Sequence, residues 1–292
     1  MSLYIGGPVW AYKGWVGNFF PEGTKPSAFL REYTRRLTTV EGNTTFYAVP
    51  SAKTLAGWLA EMPEGFHFCP KLPRYISHSG SLANGIDEAL QFADTMGRLG
   101  DRLGPMFLQL PPRYGPSQVE DLRTFLEAWP AEYRLAVEVR HADWFDPPES
   151  DVLTALLNGL NLGRVVFDTR PIRILQGDAI LKGSAYERLL EARQRKPDVP
   201  VVTEPTGPFI FLRYIGHPRM DLNLSYLDEW SAYLASWLRQ GMDAYVFCHC
   251  PDEGLDPALC RELYRRVSVL APLPELPWDQ ADRDTPIQPR LF

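Results

Sequence analysis

Short, β-rich apolar runs recur along the chain at residues 3–6, 39–43, 66–71, 106–110, 135–140, 164–168, 209–213 and 244–249. After each comes a stretch in which apolar residues return at helical spacing: residues 27–37, 52–62, 86–103, 118–129, 151–160, 185–195, 227–239 and 257–270. The alternation predicts an α/β fold with a parallel sheet. Eight βα units fit a closed (β/α)8 TIM barrel better than an open doubly wound sheet. Links from helix to strand are short and carry helix-stop residues, as in Met62-Pro63-Glu64-Gly65 and Leu103-Gly104-Pro105. Links from strand to helix are longer, which places the long loops on the face where barrel enzymes work. One barrel domain is expected over residues 1–270. Residues 271–292 are proline-rich and aperiodic, and are expected to form a short flexible tail.

Side chains alternate between the two faces of a strand, so every second residue points into a barrel. One parity collects residues able to pack on helices: Ile5, Val40, Phe68, Leu108, Val137, Val139, Val165, Phe167, Ile210, Leu212, Val246 and Cys248. The other, near the strands' carboxyl ends, collects Glu41, Lys71, Gln109, Glu138, Arg140, Asp168, Arg213 and His249. These should converge at the barrel mouth. A purely structural network of ion pairs is one account of them. Burying charges for stability alone is inefficient, however, because desolvation can cancel the Coulombic gain.

Three acids (Glu41, Glu138, Asp168) face three permanent cations (Lys71, Arg140, Arg213), a balance that argues against a metal cage. No cofactor is expected, with a divalent metal as the lesser alternative. The guanidinium of Arg140 or Arg213 suits a phosphate or carboxylate on the substrate. Glu138 or Asp168 then serves as general acid or base. Lys71 is a charge partner, an electrophile or a Schiff-base former. His249 is a proton shuttle or a hydrogen-bonded core residue. Trp10, Tyr12 and Trp15, in the first long loop, form either an aromatic lid or packing across the mouth.

The chain has 45% hydrophobic and 23% charged residues, which removes disorder, coiled coil and collagen from consideration. Its net charge of −6, with Lys and Arg dispersed, excludes the basic stripe of a protein that binds nucleic acid unaided. No targeting segment and no run of membrane-spanning length is visible, so a cytoplasmic protein without a membrane partner is expected. Four cysteines without a CxxC pair read as reduced thiols.

The stretches Val40-Glu41-Gly42-Asn43-Thr44-Thr45-Phe46-Tyr47, Phe66-His67-Phe68-Cys69-Pro70-Lys71-Leu72-Pro73, Leu108-Gln109-Leu110-Pro111-Pro112 and Ala136-Val137-Glu138-Val139-Arg140-His141 resemble the YecE-like family, domain of unknown function 72. Ile76-Ser77-His78, Phe167-Asp168 and Leu212-Arg213 extend the resemblance over the barrel. It implies a TIM barrel and a shared cluster at Glu41, Asn43, Lys71, His78, Gln109, Glu138, Arg140, Asp168 and Arg213. It supplies no reaction. Where many relatives carry an asparagine-rich stretch after the last strand, this chain has Cys248-His249-Cys250-Pro251-Asp252.

The final residues, Gln288-Pro289-Arg290-Leu291-Phe292, resemble the peptide by which bacterial proteins dock on the DNA polymerase sliding clamp. Leu291 and Phe292 would fill an apolar groove while Gln288 satisfies its polar rim. The other account is that they pack on their own barrel. The leading expectation is a hydrolase-type enzyme acting on a phosphate- or sugar-containing, small-molecule or nucleic-acid-derived substrate, recruited to DNA maintenance by its C-terminus. The alternatives are a lyase or isomerase using Lys71 and Glu138 on a small anionic sugar, and a ligand-binding adaptor without catalysis.

Overall fold

The computed structural model describes residues 1–176 and 178–284. Eight strands follow in order: β1 (Leu3–Gly6), β2 (Thr39–Gly42), β3 (His67–Pro70), β4 (Met106–Gln109), β5 (Leu135–Glu138), β6 (Gly163–Asp168), β7 (Phe209–Ile215) and β8 (Asp243–His249). All pairings are parallel. Six strands form one sheet in the order β1-β8-β7-β6-β5-β4, and β2 pairs with β3 in a second.

Backbone hydrogen bonds cross both gaps between these sheets. At one, Ile5 O accepts from Thr38 N (3.1 Å) and Gly7 O from Glu41 N (3.1 Å). Tyr33, buried beside this seam, accepts from Gly7 N (2.7 Å) and donates to Thr39 O (3.0 Å). Gly6 is needed here, because a Cβ would lie 1.8 Å from Thr39 O. At the other gap, Phe68 O accepts from Gly104 N (2.9 Å) and Phe107 O from Leu72 N (3.0 Å).

The helices are α1 (Phe29–Thr34), α2 (Ala52–Glu61), α3 (Arg74–Ser77), α4 (Ile86–Gly97), α5 (Val119–Glu127), α6 (Glu149–Gly159), α7 (Arg170–Arg173), α8 (Ser184–Arg195), α9 (Leu224–Arg239), α10 (Asp256–Leu270) and α11 (Pro277–Asp284). Local chemistry starts several of them. Ser51 caps α2 by accepting from Thr54 N, while Pro257 and Pro277 occupy first-turn positions where no N–H is missed. The larger core lies between the strands and this helical layer. A smaller one, built on Cys69, Phe107, Ala136, Val165, Phe209, Phe211, Tyr245 and Phe247, fills the opposite face of the strands.

Three expectations are corrected. First, strand β6 has the opposite parity: Val165 joins the inner cluster and Val166 the outer one. Phe167 pairs in register with inward-facing Arg213, and Asp168 pairs with Tyr214. With Val165, Val166 and Phe167 all apolar, both faces looked equally suited to burial. Second, α8 does not take the sixth place in the helical layer. It lies over the carboxyl ends of the strands, its Leu189 packed with Phe167 and Ile215. Thr169 donates to Pro197 O near that face (3.3 Å), and Gly207 approaches Leu162 at the other, so the 197–207 segment returns the chain to the start of β7.

Third, residues 271–284 are not a free tail. Leu276 is fully buried, Trp278 N donates to Arg36 O (3.1 Å), and the Trp278 ring packs against Phe19 (4.8 Å) and under Arg261 (4.5 Å). Two large apolar anchors hold this segment, so no periodic face was needed for docking. Among the described residues, no helix is long and apolar enough to cross a membrane.

Candidate functional site

Strands β2, β4, β5, β7 and β8 deliver Glu41, Gln109, Glu138, Arg213 and His249 to one end of the sheet, and Lys71 emerges just past β3. Arg213 is the hub. Its Nε donates to Glu41 Oε2 (2.7 Å), its Nη2 to Glu41 Oε1 (2.8 Å) and its Nη1 to Glu138 Oε2. The chain of contacts continues on both sides. Asn43 Nδ2 donates to Glu41 Oε1 (2.7 Å), and His249 Nε2 meets Glu41 Oε2 at 3.1 Å. Gln109 Nε2 donates to Glu138 Oε1 (2.7 Å), which orients its Oε1 to accept from Lys71 Nζ (2.8 Å). Arg140 Nε stands 3.6 Å from Glu138 Oε1 and has no hydrogen-bond partner among the described residues.

Burial pushes the Glu41 and Glu138 carboxyls up, but neighbouring charges outweigh it. Arg213 beside both, with the hydrogen bond from His249 at Glu41 and the charge of Arg140 at Glu138, holds each below the usual carboxylate range. Both glutamates are therefore fixed anions with their oxygens engaged. The basic groups move the other way. Burial, reinforced by Arg213, lowers Lys71 to about 8, and burial takes His249 down to about 4 despite Glu41. His78 also falls to about 4, through burial and the nearby charge of Lys71. Neutral His249 then donates its Nε2 proton to Glu41.

A cavity of about 420 Å³ opens above this network, walled partly by strand ends and partly by α8. Sequence reasoning missed the residues α8 contributes: Arg188, Glu191, Arg195 and, just after it, Lys196. Burial and Arg213 lower Lys196 to about 8. The signal was the basic cluster Arg193-Gln194-Arg195-Lys196, which in a helix of the outer layer would only complement the dipole. Here Arg195 O accepts from Arg140 Nη2 (3.1 Å), tying the end of α8 to the site. Phe167, expected in the helix layer, also lines the cavity, beneath Arg213 (5.5 Å) and Arg140 (6.0 Å).

Of the residues singled out in the sequence, the structure brings Glu41, Asn43, Lys71, Gln109, Glu138, Arg140, Arg213 and His249 together. His78 sits one ring away: Lys71 Nζ lies 4.1 Å above the Phe46 ring, whose edge meets His78 at 5.1 Å. Asp168 does not join them. It accepts from Arg170 Nε and Nη2 (3.0 and 2.9 Å) and from Trp230 Nε1 (2.8 Å), on the helix side of β6. Trp15 is buried against Phe19, Phe20 and Tyr33, so in the first loop it is packing, not a lid. Gln288, Leu291 and Phe292 lie outside the described residues.

Residues 4–281 match the family model described as "Protein of unknown function DUF72". The chain belongs to the DUF72 family. The DUF72 chain is 33% identical over 271 residues to the UPF0759 protein YecE of Escherichia coli K12, covering 92% of this chain and 94% of that one. Its fold matches crystal structures of DUF72 family proteins from Enterococcus faecalis and Thermotoga maritima. Each has a TM-score of 0.66, at 15% and 19% identity respectively. The first match covers 94% of this chain and 99% of the other, the second 91% and 98%. At those identities the likeness concerns the fold alone. Among the described residues of the DUF72 chain, no group of three or more His, Cys, Asp or Glu side chains is arranged to hold a metal ion.

Proposed function

We propose that this chain is an enzyme that receives a small anionic substrate, phosphate- or sugar-bearing, at the mouth of one closed (β/α)8 barrel. The hydrogen bonds across both seams between the sheets support closure. One observation carries the functional reading: a surplus of positive charge around the cavity. Two buried carboxylates, Glu41 and Glu138, meet four cations, Arg213, Arg140, Lys71 and Lys196, while the remaining lining charges balance, Arg188 and Arg195 against Glu191 and Glu253. Among the described residues neither lysine ammonium forms an ion pair. In a chain of net charge −6, such a local excess is the complement of an anion.

The chemistry follows from which groups can exchange protons. Glu41 and Glu138 are locked to Arg213 and stay ionised, so neither is suited to act as an acid. Lys71 and Lys196, each near 8, are balanced between donor and base close to neutrality. This favours a lyase or isomerase in which lysine handles the proton and Glu138 fixes Gln109, and so Lys71, in place. Hydrolysis of a phosphate ester is the second reading. The same cations favour it, because they would stabilise charge on a transferring phosphoryl group.

Calorimetric titration with inorganic phosphate and a sugar phosphate tests the reading. The wild-type chain should bind both, and Lys196→Met should weaken binding by about tenfold, close to 1.4 kcal/mol. Absence of binding at millimolar phosphate would remove the anion site. Docking of Gln288, Leu291 and Phe292 on a sliding clamp is a separate proposal resting on the sequence motif. Titration of a 286–292 peptide against the clamp, with Leu291→Ala/Phe292→Ala as control, decides it.

A further inference from the structure

We infer that Lys71 is a covalent nucleophile: it condenses with the carbonyl of a small anionic aldehyde or ketone to form an imine, while the anionic group rests on Arg140 and Lys196. The inference rests on the anion-binding reading above and adds to it the substrate's reactive group. Three features of the site carry it.

The first is the surroundings of the Lys71 nitrogen. Its one polar partner is a neutral amide oxygen, Gln109 Oε1 at 2.8 Å, and no carboxylate pairs with it among the described residues. A lysine kept for charge alone would be expected to meet one of the two glutamates nearby. Instead Gln109 stands between Lys71 and Glu138, accepting from one and donating to the other. An amine positioned by a neutral amide oxygen, with no carboxylate ion pair to break, can exchange that hydrogen bond and turn its lone pair toward a substrate in the cavity it lines.

The second is rigidity. Lys71 N donates to Gly42 O (3.3 Å), and its carbonyl accepts from the Thr45 hydroxyl (2.6 Å). The backbone of Lys71 is therefore pinned to β2 and the loop after it, while Gln109 and Phe46 place its amine at the cavity, which lowers the entropic cost of attack. Lys196 is held at its backbone as well, its N donating to Ala192 O (2.9 Å) and its carbonyl accepting from Arg173 Nη2 (2.5 Å), so it is the partners of the amine, Gln109 and Phe46, that set Lys71 apart. The third is Phe46, whose ring lies 4.1 Å from Lys71 Nζ. A protonated imine carries its charge on the same nitrogen, so the ring that faces the ammonium also faces the intermediate.

The step balances within the site and solvent. Neutral Lys71 Nζ adds to the carbonyl carbon while the carbonyl π pair moves to oxygen, which takes up a proton. The carbinolamine then loses water to give the C=N bond. Once protonated, this imine accepts the electron pair of an adjacent C–H or C–C bond, as isomerisation or lyase chemistry requires. Water returns the free amine at the end.

Trapping tests the inference. The full chain is incubated with dihydroxyacetone phosphate and sodium cyanoborohydride, which delivers hydride to an imine and fixes it as a secondary amine. Pyruvate replaces the phosphate by a carboxylate, and dihydroxyacetone supplies the uncharged control. The chain has only six lysines (Lys13, Lys25, Lys53, Lys71, Lys182 and Lys196), so peptide mapping resolves the modified position.

Expected is a single adduct on Lys71, equal to the carbonyl compound's mass less one oxygen atom. It should form with at least one charged compound faster than with dihydroxyacetone, and inorganic phosphate should suppress it. The more reactive charged compound identifies the anionic group. Lys71→Arg should lose the adduct, with its thermal unfolding compared with wild type. Arg140→Met retains the nucleophile and should form the adduct about tenfold more slowly, a loss of roughly 1.4 kcal/mol.

Phosphate binding without any Lys71 adduct would overturn the inference and leave the anion reading standing. Failure of both would remove both. An adduct on Lys196 instead, or equal labelling of the exposed lysines with charged and uncharged carbonyls, would also overturn it.

Discussion

The strands of this protein carry polar residues at both ends, and the two ends treat them differently. At the floor, Tyr4 stacks on His67 (4.1 Å) and Tyr245 (4.7 Å), and His67 Nδ1 meets the Tyr245 hydroxyl at 2.9 Å. Arg134 there pairs with Asp243 (3.3 Å), which also accepts from Ser2 N (2.9 Å). Asp243 also lies 3.7 Å from the N-terminal ammonium, so the charges at the floor are paired, and aromatic rings fill the centre. At the mouth the strands end in a cavity and, among the described residues, Lys71 and Lys196 have no ion-pair partner and Arg140 Nε has no hydrogen bond. A buried polar group without a partner costs stability. The floor avoids that cost and the mouth accepts it, which is the contrast on which the proposed site rests.

The largest test of this contrast is Arg213→Met. It leaves Glu41 and Glu138 buried and uncompensated, and should lower unfolding stability by about 3–5 kcal/mol in urea titrations. A loss below about 1 kcal/mol would mean the carboxylates find other partners, and the hub would lose its meaning.

A middle-sized effect comes from pH. His249 at the mouth and His67 at the floor are both held to about 4 in the folded chain, against an unperturbed 6.5. For each, burial is the leading cause. The unfolded chain therefore binds more protons between these values, and stability should fall as pH drops from 6.5 toward 4. Each histidine steepens that fall by up to about 1.4 kcal/mol per pH unit. Replacing either with Asn should flatten the slope, and wild-type slopes in both variants would contradict this. Below about 4.5 a second loss follows, because Glu41 and Glu138 take up protons in the unfolded chain while Arg213 keeps them ionised in the folded one.

The smallest effect belongs to the floor. Arg134 is 48% exposed, so Arg134→Ala should cost at most about 1 kcal/mol and leave phosphate affinity unchanged. A fall in affinity would show that the two ends are coupled.

Much of this was legible in the chain. The outward parity of Ile5, Val40, Phe68, Leu108, Val137, Ile210, Leu212 and Val246 matches their place in the outer core; small or polar neighbours mark it at Val40 and Val137, and in β7 and β8 the opposite parity is marked by the polar residue that ends it, Arg213 or His249. Strand β6 did not offer that contrast. With Val165, Val166 and Phe167 adjacent, periodicity carried no sign, and only the register against Arg213 settles which face is which. Helix α8 was visible as a helix, yet nothing in its own pattern distinguished a helix laid over the strand ends from one in the outer layer. In α11, Leu276 and Trp278 were the clue that proline content obscured.

The sequence by itself determined the α/β alternation, the parity of most strands and the family, because these depend on local spacing and residue type. Tertiary structure alone decided that Arg213 spans two glutamates, that Asp168 turns away from them, and that Lys196 joins the site from a helix laid across it. Those facts depend on register between strands and on the path of a connecting segment, and both are set by contacts between residues far apart in the chain. Glu41 and Arg213 stand 172 positions apart, and no local pattern records which guanidinium a carboxylate will meet.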